Sequence, residues 1–110
     1  MDLYRLSETC AVASQIQPAE VATLAAEGFT TVICNRPDGE DFGQPTTEEI
    51  AAACREHDIA FHNIPVDRSG LTMEMVEDFR NAVAASSGLV LAYCRSGQRS
   101  SVIWQAAGAP

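Results

Sequence analysis

Three times in this chain a short apolar or β-branched run gives way to a loop of turn formers and then to a helical pattern. Thr30–Cys34 leads through Asn35–Pro45 to a helix capped by Thr46. Ile59–Ile64 leads through Pro65–Gly70 to a helix capped by Thr72. Leu89–Tyr93 leads through Cys94–Ser100 to a last helix. Strands joined through helices run parallel, so the pattern predicts one α/β domain over residues 1–110, a mostly parallel sheet flanked by helices. Ligands of such sheets bind beyond the carboxyl ends of the strands. The loops 35–40, 65–70 and 94–100 all fall on that edge.

The element ends carry local signals. Tyr4–Leu6 and Cys10–Ala13 read as two short strands around Ser7-Glu8-Thr9. Pro18 opens a helix through Glu27, and Gly28 ends it. Thr46 and Glu49 form a capping box for a helix to His57. The helix from Thr72 to Ala85 places Met73, Val76, Phe79 and Val83 on one buried stripe. Gly108-Ala109-Pro110 reads as an unstructured end.

Charge removes several classes of function. Seven arginines, no lysine and 15 acids leave a net charge of -8. So acidic a chain is not expected to grip nucleic acid or an anionic membrane. It has no apolar run of ~18 residues and no signal-peptide pattern at Met1–Arg5. Cys10, Cys34, Cys54 and Cys94 lack the spacing of a zinc or redox motif, and His57 and His62 are not a helical ligand pair. No metal and no cofactor is expected. Free thiols point to the cytoplasm, with Cys10, Cys34 and Cys54 as small buried hydrophobes.

The local exception to the acidic balance is Cys94-Arg95-Ser96-Gly97-Gln98-Arg99-Ser100. It joins a buried strand to a helix start, where loop amides and the helix dipole favour an anion. The same field favours thiolate, the reactive form of cysteine. A buried structural cysteine is the simpler reading of Cys94, but two arginines within five residues are poorly suited to a core. Arg99 offers a bidentate fork to an oxyanion. Gly97 is expected at positive φ or at a close backbone approach. Ser100 reads as the cap of the last helix, with donation to the Cys94 thiolate as a second role. Arg95 is either an anion attractor or a solvated loop charge. Ser96 and Gln98 complete the anion-binding set.

Taken together, Gln15, Asn35-Arg36-Pro37-Asp38 with Glu40, Ile64-Pro65-Val66, and Cys94-Arg95-Ser96-Gly97 with Arg99-Ser100 resemble the phosphatase-like domain of bacterial beta-lactamase-hydrolase-like proteins. That family is also described as sulfur-transferring. The resemblance covers nearly the whole chain and implies the fold of cysteine-dependent phosphatases, with Leu89–Tyr93 central. Those phosphatases place five residues between cysteine and arginine, often with histidine before the cysteine. This chain has four between Cys94 and Arg99, and Tyr93 in place of the histidine. The shorter loop resembles that of single-domain rhodaneses, which carry sulfur as a cysteine persulfide. One residue fewer tightens the ring of amides, leaving room for a terminal sulfur but less for three phosphoryl oxygens.

The resemblance puts Asp67 where phosphatases of this fold carry the general acid, while a turn aspartate beside Arg68 is the simpler reading. Arg36 either completes the pocket or pairs with Asp38 and Glu40 to fix its own loop, and the second is preferred. Gln15 either donates to a bound ligand or is structural. The resulting expectation is sulfur transfer through a Cys94 persulfide, from a small anionic sulfur donor. Phosphate-ester hydrolysis through phosphocysteine is the alternative, and a non-catalytic anion- or partner-binding module is the third reading. Relatives fused to a persulfide-handling metalloenzyme suggest that kind of partner.

Overall fold

A computed structural model describes residues 1–109. Its strands are β1 (Leu3–Arg5), β2 (Cys10–Ala13), β3 (Phe29–Cys34), β4 (Ala60–Asn63) and β5 (Leu89–Tyr93). Its helices are α1 (Val21–Ala26, entered through a 3-10 turn at Pro18–Glu20), α2 (Thr47–Glu56), α3 (Met73–Ala85) and α4 (Gln98–Ala107). The five strands lie in the order β1-β2-β5-β3-β4. Only β1 runs antiparallel, against β2. β5 is central, paired in parallel with β2 on one side and β3 on the other. The α/β prediction and the central place of Leu89–Tyr93 both hold.

The strands read as near-continuous apolar runs because both faces of the sheet are covered. Alternate residues then serve two cores. Cys10, Val12, Ile33, Val90 and Ala92 pack with Val76, Phe79 and Ile103, under α3 and α4. Ala11, Val32, Cys34, Leu91 and Tyr93 pack with Leu24, Ile50 and Cys54, under α1 and α2. Cys10, Cys34 and Cys54 are buried and free, as expected.

The cap signals at Thr46 and Thr72 are both realised. Thr46 forms its box with Glu49, and Thr72 accepts from the Met75 amide. Three local expectations are corrected. Met73 is 72% exposed, since as the first residue of α3 it lies beyond the core, and Ala82 joins the buried stripe in its place. Ser100 lies inside α4 and does not cap it. The cap is Gly97, whose left-handed backbone turns the chain into the helix. Ala109 is buried against the core under α3 and α4, so the chain end is packed that far; Pro110 lies outside the described residues.

Candidate active site

The last turn of β5 delivers Cys94 to the carboxyl edge of the sheet. Its amide continues the ladder to the Ala13 carbonyl (3.3 Å), and the Arg95 carbonyl receives the Gln15 amide (3.4 Å). Only Arg95, Ser96 and Gly97 separate Cys94 from the first residue of α4. Closing so short a loop demands φ of 91° at Gly97, with any added Cβ 3.4 Å from the Ala13 oxygen. Of the two reasons foreseen for that glycine the positive φ applies, while a Cβ there would meet Ala13 at an ordinary contact distance. The Gly97 amide donates to Cys94 Sγ at 3.0 Å.

Cys94 is fully buried at its residue surface. Burial pushes its thiol up. The amides of Ser100, Ser96 and Gly97 outweigh that and bring it below the ordinary value, because they stabilise the anion. The Ser100 hydroxyl adds to this when its single proton turns to sulfur. In the arrangement present it donates to Asn35 Oδ1 (2.9 Å), while Asn35 Nδ2 donates to the Ile64 carbonyl (2.9 Å). The backbone amides are thus the standing support of the sulfur. Asn35, fully buried, ties the end of β3 to α4 beneath the loop.

Arg99 turns towards the site but is already held. Its Nη1 and Nη2 grip Glu40 Oε2 and Oε1 at 2.7 and 2.8 Å, and Nη1 also donates to the Val66 carbonyl at 2.8 Å. Arg99 holds the Glu40 carboxyl down at about 2, with burial opposing and Arg36 assisting. The Arg99 guanidinium is in turn held more firmly charged, first by Glu40 and more weakly by Cys94.

Arg36 is buried and structural, with one corrected partner. It donates to Glu40 (2.9 Å), Asp41 (2.7 Å) and Gln15 Oε1 (3.0 Å), and not to Asp38. Asp38 instead accepts from the amide and hydroxyl of Thr47 at the start of α2. Gln15 gives one amide proton to the Ile16 carbonyl (2.8 Å) and through Oε1 accepts from Arg36, so one of its two N–H donors is committed. Arg95 is mostly exposed and pairs with Asp41 at 3.1 Å. Ser96 accepts from the Gln98 amide (3.3 Å), one turn of the loop.

Glu40, Asp67, Arg68, Arg95 and Arg99 line an open cavity of about 380 Å³ beside the cysteine loop. Asp67 lies on the wall of this cavity and is exposed. Ser69 donates to it through its hydroxyl and its amide, which holds the carboxyl below the usual range and fixes it in a turn. Glu40 and Asp41 are the site residues whose role the sequence did not disclose. Glu40 was visible as part of the family resemblance and as a partner for Arg36, and nothing in the spacing signals its reach of 59 positions to Arg99. Among the described residues no cluster of His, Cys, Asp and Glu could hold a metal ion. None of the helices there is long and apolar enough to cross a membrane.

A central parallel strand ending in a cysteine, an amide-lined loop and a helix start define a domain of the cysteine-phosphatase-like class. Within that class, the chain belongs to the family of beta-lactamase hydrolase-like protein, phosphatase-like domain, whose profile matches residues 2–110. It is 31% identical over 104 residues to a beta-lactamase hydrolase-like protein of Xylella fastidiosa, covering 94% of this chain and 24% of that protein. The chain therefore spans about a quarter of the length of the curated relatives it matches. It is similar to a candidate phosphatase of Neisseria meningitidis, with 35% identity, a TM-score of 0.81, and 91% of this chain and 71% of that one covered. It shares the fold of P. aeruginosa TpbA, crystallised with phosphotyrosine, at 19% identity and a TM-score of 0.67 over 92% of this chain and 58% of that one.

Proposed function

We propose that this domain performs covalent group transfer at Cys94, and that the group is a sulfane sulfur carried as a Cys94 persulfide. The observation that carries this reading is the state of the carboxyls facing the site. Glu40 is held ionised by Arg99 and Asp67 by Ser69, so neither is poised to give up a proton. A sulfur donor expels a thiolate or sulfite, which leaves as a stable anion. A phosphate ester expels an alkoxide, for which a general acid supplies roughly 10²–10⁴-fold. The short loop supports the same choice: amides converge on Sγ over only three intervening residues before α4.

In this mechanism the thiolate, stabilised by the amides of Gly97, Ser96 and Ser100, attacks the outer sulfur of the donor. The loop amides then hold the new terminal sulfur, and Arg99, its fork held by Glu40, faces the donor with the N–H groups that remain. Cys94, Arg99, Arg95, Ser96, Gly97, Gln98 and Ser100 form the working set, with Arg36 and Gln15 as its scaffold. A persulfide-handling metalloenzyme is the proposed partner. The four free cysteines suit a reducing compartment such as the cytoplasm.

Phosphate-ester hydrolysis is the second reading, and the solved neighbours favour it over sulfur transfer. Phosphotyrosine bound to TpbA makes an aryl phosphate the natural test substrate. On this reading Asp67 must leave its turn and take up a proton before the leaving group departs. Separate incubations with thiosulfate, glutathione persulfide and an aryl phosphate decide the matter by intact mass. A gain of one sulfur atom on Cys94 supports the proposal. A phosphoryl group on Cys94, with turnover of the ester and no sulfur loading, overturns it. Inertness to all three leaves the binding-module reading.

A further inference from the structure

Two arginines of this site, Arg36 and Arg99, are already paired before any anion arrives, and the groups that hold them form a built device. Glu40 fills the fork of Arg99 and also takes Arg36 Nε. Asp41 bridges Arg36 (2.7 Å) and Arg95 (3.1 Å). The segment carrying both acids is tied to itself. Gln44 Oε1 accepts from the amides of Glu40 and Asp41, and Gln44 Nε2 donates to the Pro37 carbonyl. Asp38 anchors its other end to Thr47. The acids are thus positioned by their own loop, rather than drawn in as loose side chains.

The charges around the pocket then cancel. Arg36, Arg68, Arg95 and Arg99 are matched by Glu40, Asp41, Asp67 and the Cys94 thiolate that the chemistry requires. With the formal charges balanced by count, the net pull on a ligand is that of the loop amides and the start of α4, worth about half a positive charge. That favours a single anionic or polarised sulfur. It falls short of a group bearing two charges, such as thiosulfate, or a phosphate monoester above pH ~6.

Building on the sulfur-transfer reading, we infer that the Glu40–Asp41 clasp sets a charge limit on the site, so that Cys94 takes sulfur from an organic hydropersulfide in preference to a dianionic donor. The step balances without an added oxidant. Cys94 Sγ⁻ attacks the outer sulfur of R–S–S–H, and a Cys94 S–S bond forms as the donor S–S bond breaks. The bonding pair departs on R–S⁻, and the terminal proton travels with the transferred sulfur. Glu40 acts here as a specificity-determining residue through Arg99.

The test uses Glu40→Gln, Asp41→Asn and the charge-preserving Glu40→Asp. Inorganic sulfate is titrated as protection of Cys94 from iodoacetamide. Each rate is divided by the sulfate-free rate of the same variant, so changes in thiol reactivity cancel. Glu40→Gln should protect at roughly tenfold lower sulfate, Asp41→Asn by a smaller factor, and Glu40→Asp near the wild-type concentration. In turnover, wild type should load sulfur faster from glutathione persulfide than from thiosulfate. Glu40→Gln should lower KM for thiosulfate with little change in kcat and little change for the persulfide. A merely structural Glu40 would weaken all donors together. Unchanged sulfate protection in Glu40→Gln overturns the clasp whatever the chemistry. Tighter sulfate binding with no sulfur loaded from either donor overturns the sulfur reading and the donor class, while the charge limit stands.

Discussion

Two loops meet at the carboxyl edge of this sheet, and they treat their polar groups in opposite ways. The 94–97 loop turns amides inward, onto Cys94 Sγ, and offers them to whatever the sulfur carries. The 38–44 loop spends its polar groups on itself and on its neighbours' arginines. The first is built to hold a visitor and the second to hold the first in shape. A pocket rich in arginine is therefore no measure of its appetite for anions until the arginines' existing partners are known.

The comparison predicts a ranking of effects. Cys94→Ser attacks the receiving loop at its centre and should cost at least ~10³-fold in transfer, with the thermal midpoint little changed. Single-turnover kinetics with the preferred donor check this. Retained wild-type turnover would place the chemistry elsewhere.

Gly97→Ala should come next. It puts a side chain where φ is 91° and brings a Cβ to 3.4 Å from the Ala13 oxygen. The expected cost is about 1–2 kcal/mol of stability, with Cys94 reactivity reduced as the Gly97 amide moves off the sulfur. Chemical denaturation and iodoacetamide labelling report the two parts separately. In wild type the labelling midpoint of Cys94 should lie below ~8.5, the ordinary thiol value. A midpoint at or above it would show that burial wins over the amides.

Arg99→Ala should free the bracing loop and leave the receiving one formed. Glu40 sits at about 2 when folded, below its unfolded value near ~4.3. Its pairing thus adds stability above pH ~4.3, and that stability is lost as pH falls through the interval towards 2. In Arg99→Ala the Glu40 carboxyl should titrate near the ordinary glutamate value by NMR, and this acid-sensitive share of stability should shrink. No upward move of Glu40 would mean that Arg36 alone suffices to hold it.

The smallest effect is expected from Asp67→Asn. On the sulfur reading, turnover should fall less than about tenfold, since no proton is needed by the leaving group. A far larger loss with an alkyl phosphate, and a smaller one with an activated aryl phosphate, would instead favour the phosphatase reading.

The fold was legible because its signals are local and agree with one another: a β-branched run at Thr31–Ile33, caps at Thr46 and Thr72, Pro18 before α1 and Gly28 after it. The Cys94–Ser100 loop was legible for the same reason, being seven consecutive residues. What stayed hidden depends on distance in sequence. Arg99 to Glu40 and Ser100 to Asn35 are pairings across the sheet edge, and composition carries no trace of them. Ser100 was misplaced as a cap because a serine after a loop is the usual choice, whereas here the glycine's left-handed turn starts the helix three residues earlier. Met73 was misassigned because periodicity does not reveal where a helix overhangs its core.

The central place of β5 has a consequence in time as well as in space. Both edges of β5 are hydrogen-bonded, to β2 and to β3, and its residues 90–93 are buried. Its amides can exchange with solvent only when the sheet itself separates, so their protection should approach that of global unfolding. The 38–44 loop crosses no strand and should open far more often. Hydrogen exchange would then find the sulfur mounted on the slowest backbone of the molecule, with its arginine braces on some of the fastest.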